Sequence, residues 1–188
     1  KLNSLMSLSR HTIFDRIKEK LKERGIEPGS EPGKAWIASK ARQMRATPER
    51  LMFSPNVRGN TMIGKMYFYW YDPKTKDKLS RWDKFPLVIP IERYGDGFLG
   101  LNLHYVSESA RAGIIGSLSE YLNNKNYDST TRFRLSYDML KRASKISVLE
   151  PCIKRYLFSH VRSGFLEIPA DEWDIAILLP VQRFESKR

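Results

Sequence analysis

At 188 residues the chain is long enough to bury a substantial core, and a composition of 41% hydrophobic and 12% aromatic residues excludes global disorder. No uninterrupted apolar run approaches the ~18 residues of a membrane span, the first residues carry no signal-peptide pattern, and a single cysteine, Cys152, excludes an internal disulfide and fits a reducing compartment. The formal net charge of +12, from 33 Lys and Arg against 21 Asp and Glu, makes a polyanion the first partner to consider, with an acidic protein neighbour as the alternative.

The charge is unevenly placed. Residues 1–58 hold 13 Lys/Arg against 6 Asp/Glu, a net of +7; residues 59–105 hold 7 against 5, and residues 106–188 hold 13 against 10. This divides the chain into a basic helical arm, 1–58, and an α+β core, 59–188. In the arm, Thr12 and Asp15 have capping-box spacing, and Ile13, Ile17 and Leu21 form an apolar stripe that Gly25 stops, which predicts a helix over Thr12–Arg24. The stretch 27–34 (EPGSEPGK) reads as a hinge. A second helix is predicted over Lys34–Arg45; it contains no acid, and its basic side chains form a ridge beside the apolar Ile37, Ala41 and Met44. Thr47 followed by Pro48 predicts a further short helix that carries Arg50.

Strand grammar begins at Met62. Over Met66–Tyr71 a period of two puts Met66, Phe68 and Trp70 on one face and Tyr67, Tyr69 and Tyr71 on the other. Asp72–Lys78 is a polar turn. Phe85–Ile91 is apolar, but Pro86 and Pro90 remove two ladder donors, which predicts an edge strand. Gly95-Asp96-Gly97 reads as a hairpin turn, and in the strand after it Leu99, Leu101, Leu103 and Tyr105 share a face opposite Phe98, Gly100, Asn102 and His104. The expected fold class is α+β: a small antiparallel sheet, or an SH3-like partly closed barrel, over 62–105, between the basic N-terminal helices and C-terminal helices over 107–188.

In the C-terminal half Ser107 predicts a helix to about Asn123, and 123–129 is a polar loop. A short helix is predicted from Ser136. Ser147 and Glu150 predict another, with Leu149, Cys152, Ile153, Tyr156 and Leu157 facing the core. Gly164–Ile168 reads as extended, and Pro169 opens a last helix that Pro180 ends.

Chemistry-bearing patterns are weak. Gly95–Gly100 matches G-x-G-x-x-G, but a strand follows it where a dinucleotide site needs a helix. Asp72, Asp77, Asp83, Glu92 and Asp96 fall in turns and at strand ends without a nuclease motif. His11, His104 and His160 lack metal-ligand spacing, and Cys152 reads as a buried thiol. The expectation is therefore no catalytic site, no metal, no cofactor and no small-molecule ligand. The candidates for phosphate contact are Lys34, Lys40, Arg42, Arg45 and Arg50 before the sheet, and Arg132, Arg134, Lys141 and Arg142 after it; such residues position a duplex without reading its sequence. The row Tyr67, Tyr69, Tyr71 is a candidate for partner contact: it could stack on bases, or cover helices or a protein neighbour.

Two blocks, MYFYWYDPKTKDKLSRWDKFPLVIPI with DGFLGLNLHY, and PCIKRYLFSHVRS with IPADEWDIAILLP, resemble the DNA end protector, or head-completion, family of T-even-like contractile-tailed bacteriophages, over roughly residues 35–185. That resemblance implies a non-enzymatic minor virion protein, assembled in the host bacterial cytoplasm. It would cap the ends of the packaged linear genome without regard to sequence and ready the head for tail joining, touching other virion proteins and no membrane. The alternative is a purely structural protein of the neck, tail or baseplate. The family supplies no site residues to carry over.

Overall fold

In a computed structural model, which describes residues 14–44, 47–122, 125–147, 149–176 and 184–186, the Ile17 and Leu21 stripe does place a helix, α1 (14–22), on the core. Gly25, at φ +67°, stops it, because that left-handed conformation suits a residue without Cβ. The Thr12 cap and Ile13 lie outside the described residues. Helix α2 (Glu31–Met44) starts earlier than predicted. Ser30 Oγ accepts from the Gly33 N–H at 3.2 Å, and a proline in the first helical turn has no N–H to waste, so Pro32 opens the helix instead of marking a hinge. In α3 (Pro48–Phe53) Thr47 caps as expected, accepting from the Arg50 N–H at 3.3 Å.

The sheet is six-stranded, antiparallel and open, which corrects the SH3-like barrel. Its strands are β1 (Val57–Arg58), β2 (Met66–Phe68), β4 (Leu87–Tyr94), β5 (Gly97–Asn102), β6 (Ile153–Leu157) and β7 (Phe165–Ile168), in the order β1-β7-β2-β4-β5-β6. A separate pair joins β3 (Arg81–Asp83) to β8 (Phe184–Ser186). The sheet is thus not confined to 62–105: two strands of the C-terminal half enter it, and β1 comes from before it. The predicted helix over Leu149–Leu157 is instead a single tight turn, Glu150–Cys152, followed by β6. Pro151 breaks the helical hydrogen bonding, and Tyr156 alternates with Arg155 across the pleat.

β4 is interior, not an edge. Leu87 to Ile91 are all buried between β2 and β5. Pro90 is tolerated there because its carbonyl accepts from the Gly64 N–H at 3.0 Å, on the side where β2 has already ended. The missing N–H points the same way and deprives no ladder partner. The register slips between Pro90 and Glu92, a bulge of the kind that lets proline enter a strand. The hairpin at Gly95-Asp96 forms as expected. Gly97 is required for packing, since a Cβ there would lie 1.9 Å from the Tyr156 carbonyl oxygen.

The two sheet faces carry two cores, as the period of two predicts. Met66, Phe68, Leu87, Ile89, Leu101 and Leu166 face a helical layer of α1, α2, α3, α4 (Glu108–Leu122), α5 (Ser129–Ala143) and α6 (Trp173–Ala176). Ser107 Oγ caps α4, accepting from the Ala110 N–H at 3.4 Å. α5 is a full helix, not the short one predicted from Ser136, because Asp128 Oδ1 accepts from the Thr131 N–H at 2.8 Å and starts it earlier. The last helix is a tight turn, Ala170–Glu172, running into α6, with Pro169 at its cap; Pro180 lies outside the described residues. The opposite face holds Tyr67, Tyr69, Tyr71, Val88, Phe98, Tyr156 and Phe165. No helix of the protein is long and apolar enough to cross a membrane among the described residues.

Candidate nucleic-acid interface

The aromatic face is closed by its own chain. From β6 the stretch 158–164 crosses to β7 on the far side of the sheet, and on the way it bonds residues 70–72. The Arg162 N–H donates to the Trp70 carbonyl at 2.8 Å, Trp70 N–H to Ser163 Oγ at 2.9 Å, and Asp72 N–H to the His160 carbonyl at 3.0 Å. Tyr67, Tyr69 and Tyr71 therefore lie inside the protein and do not form an open row. Tyr69 is wholly buried, edge-on to Phe165, Tyr156, Phe98 and Tyr71 at centroid distances of 5.0 to 6.2 Å. The Met62 N–H donates to Tyr67 Oη and the Leu157 N–H to Tyr71 Oη. Burial pushes all three phenols up in pKa. The neighbouring Trp70 is the side chain of this strand that reaches solvent, at 41% exposure.

The basic candidates are spread over the helical layer. On α2, Lys34 is exposed and pairs with Glu31 at 2.7 Å, Arg42 is exposed, and Lys40 is half-buried. Arg45 lies outside the described residues. On α3, Arg50 is half-buried; desolvation lowers its pKa, and Glu172 opposes that shift. On α5, Arg134 and Arg142 are exposed, and at ~100° per residue they share a sector with Lys141, while Arg132 points to the other side and is half-buried. Lys141 holds Glu92 at 3.0 Å and lies over the Tyr137 ring, and the Glu92 bond raises its pKa. α2 packs on α6, whereas α5 packs on α4 and β4, so the two groups occupy different parts of the layer.

A different set of cations converges at the β6 edge of the sheet. A cleft of about 450 Å³ opens between the segment 71–83 and the β5–β6 edge of the sheet. Lys74, Arg81, Lys154 and Arg155 line it, together with Tyr71, Trp82 and Tyr105. Lys154 Nζ sits 4.5 Å from the centre of the Tyr105 ring. Arg155 stacks on Tyr94 at 3.9 Å and reaches Asp96 at 2.5 Å.

The cleft floor is a buried polar network. Asp83 Oδ2 accepts from Asn102 Nδ2 at 3.0 Å and lies 2.8 Å from His104 Nδ1, while Asp83 Oδ1 accepts from the Phe85 N–H. Asn102 Nδ2 also donates to Tyr156 Oη at 3.0 Å, and Asn102 Oδ1 takes the His104 N–H at 2.9 Å. Burial, reinforced by the nearby Asp83, pushes the Tyr156 phenol well up. Such a network fixes the floor's shape without presenting a nucleophile.

Sequence reading missed these cations because Lys74 and Arg81 sit in and after a turn that looks merely solvated, and Lys154 and Arg155 in a stretch read as helix. The one available signal was the alternation of Lys154 and Tyr156 on one strand face.

No curated protein and no solved structure matches the chain. A family model does, along nearly the whole length, from residue 15 to residue 188: the chain belongs to the phage T4 terminal DNA protecting protein family.

Proposed function

We propose that the protein is a non-enzymatic virion component that binds the ends of the packaged linear DNA and shields them, and that it helps complete the head for tail joining. The observation that carries this reading is membership of the DNA-protecting family over residues 15–188. The net charge of +12 supports it, since a basic protein gains affinity for DNA by releasing condensed counterions. Exposed Arg42, Arg134 and Arg142 are suited to phosphate contacts that hold a duplex without reading bases. Competition between linear duplex and the same DNA closed into a circle, across a salt series, tests the reading. Preference for the linear form is expected, and equal binding at every salt concentration contradicts it.

The head-completion part calls for protein neighbours as well as DNA. It is supported by the exposed Met52, Phe53, Met62 and Trp70, of which Met52 and Trp70 line one cleft with Leu51 and Phe85. A purely structural role at the neck, tail or baseplate, acting through that apolar surface alone, is the second reading. Absence of DNA binding at physiological salt would favour it.

A further inference from the structure

The phosphate-contact residues on the helical layer can grip any duplex, so they do not account for a preference for ends. A terminus differs from continuous DNA in two ways. Its last nucleotide is tethered on one side only and can leave the stack, and a terminal phosphomonoester carries about −1.5 to −2 charges where an internal diester carries one.

The cleft between 71–83 and the β5–β6 edge has the chemistry for both. Cations gather at it, with Lys74 and Lys154 making no ion pair among the described residues. Arg155 is partly neutralised by Asp96, which leaves Lys154 as the central charge. Its aromatic member Trp82 is half-buried and keeps surface that a base could cover, whereas the Tyr105 ring carries Lys154. One carboxylate, Asp83, lies in the floor with its oxygens turned to His104, Asn102 and the Phe85 N–H, and the lining cations Lys74, Arg81 and Lys154 outnumber it. At about 450 Å³ the cleft matches one nucleotide and is far too small for a double helix.

Resting on the end-binding reading above, we propose that this cleft receives the terminal nucleotide of a DNA strand, with its phosphomonoester among Lys74, Arg81 and Lys154 and its base against Trp82. End recognition and duplex binding then belong to different parts of the protein.

The test uses the full chain and three versions of one short duplex: 5′-phosphorylated, 5′-hydroxyl, and closed at both ends by hairpin loops. The wild type is expected to bind the phosphorylated duplex best and the closed one worst. Lys154→Gln and the exposed Lys74→Gln should remove most of the advantage of the phosphate while lowering affinity for the closed duplex far less. Trp82→Ala should weaken open-ended duplexes by about tenfold, the loss of one base stack. Two results overturn the inference. If all three variants keep the wild-type preference for open, phosphorylated ends, the ends are bound elsewhere and the end-binding reading stands without this cleft. If the wild type itself does not distinguish open from closed duplex, the end-binding reading fails and the cleft assignment fails with it.

Discussion

Asp83 Oδ2 and His104 Nδ1 lie 2.8 Å apart, both side chains only 4% exposed, and join the β3 segment to the turn that ends β5. Asp83→Ala would at once remove the carboxylate partner of the His104 ring, one of the two acceptors of Asn102 Nδ2 and the side-chain acceptor of the Phe85 N–H. Buried groups left unpaired cost roughly 1–3 kcal/mol each, less where water enters, so a loss of about 3 kcal/mol is expected in urea unfolding. A change under about 0.5 kcal/mol would show that water already satisfies the network.

Tyr69 and Tyr156 differ in one respect. Among the described residues Tyr69 Oη has no partner within hydrogen-bond geometry, whereas Tyr156 Oη accepts from Asn102. Tyr69→Phe should leave stability unchanged or raise it by about 1 kcal/mol, and Tyr156→Phe should lower it by about 1–2 kcal/mol.

The same tyrosines set the alkaline limit. Burial raises the folded-state pKa of Tyr67, Tyr69, Tyr71 and Tyr156. The unfolded chain therefore loses these protons first, and stability falls as pH rises past about 10. A thermal series through that range should show a steep decline in midpoint, made shallower by Tyr69→Phe.

Asp128 gives the opposite sign. The Thr131 N–H, followed by its hydroxyl, holds the carboxylate below its ordinary pKa of 3.8. Its contribution to α5 is complete above that value and is lost as pH falls through the lower folded-state pKa. Asp128→Ala should lower the melting midpoint at neutral pH, and the difference from wild type should close in strong acid.

If Arg134 and Arg142 contact phosphates, the double change to alanine should weaken linear and circular DNA alike. It should also lower the magnitude of the log–log salt slope by up to about 1.8, or ~0.9 for each contact. An unchanged slope would take α5 out of the interface.

Much of the sheet was legible because its strands obey the period of two with unambiguous residue types: Met66 and Phe68 against Tyr67 and Tyr69, Leu101 against Phe98. Caps at Thr47 and Ser107 were equally local. What escaped depends on contacts distant in sequence. The five residues of β6 fit a helical stripe as well as a strand, and pairing with β5 decides between them. Pro90 predicts an edge until one knows that β2 stops short of it. The tyrosine row looks open until the 158–164 crossover covers it. The cleft escaped for the same reason, since Lys74 and Arg81 meet Lys154 and Arg155 only through the fold.

Protection of DNA ends is the central claim, and an exonuclease measures it directly. Linear duplex saturated with the protein should survive a processive exonuclease that digests it when bare, while an endonuclease still cuts its interior at the uncovered rate. Digestion from the ends as fast as without the protein, under conditions where it is fully bound, would contradict the account.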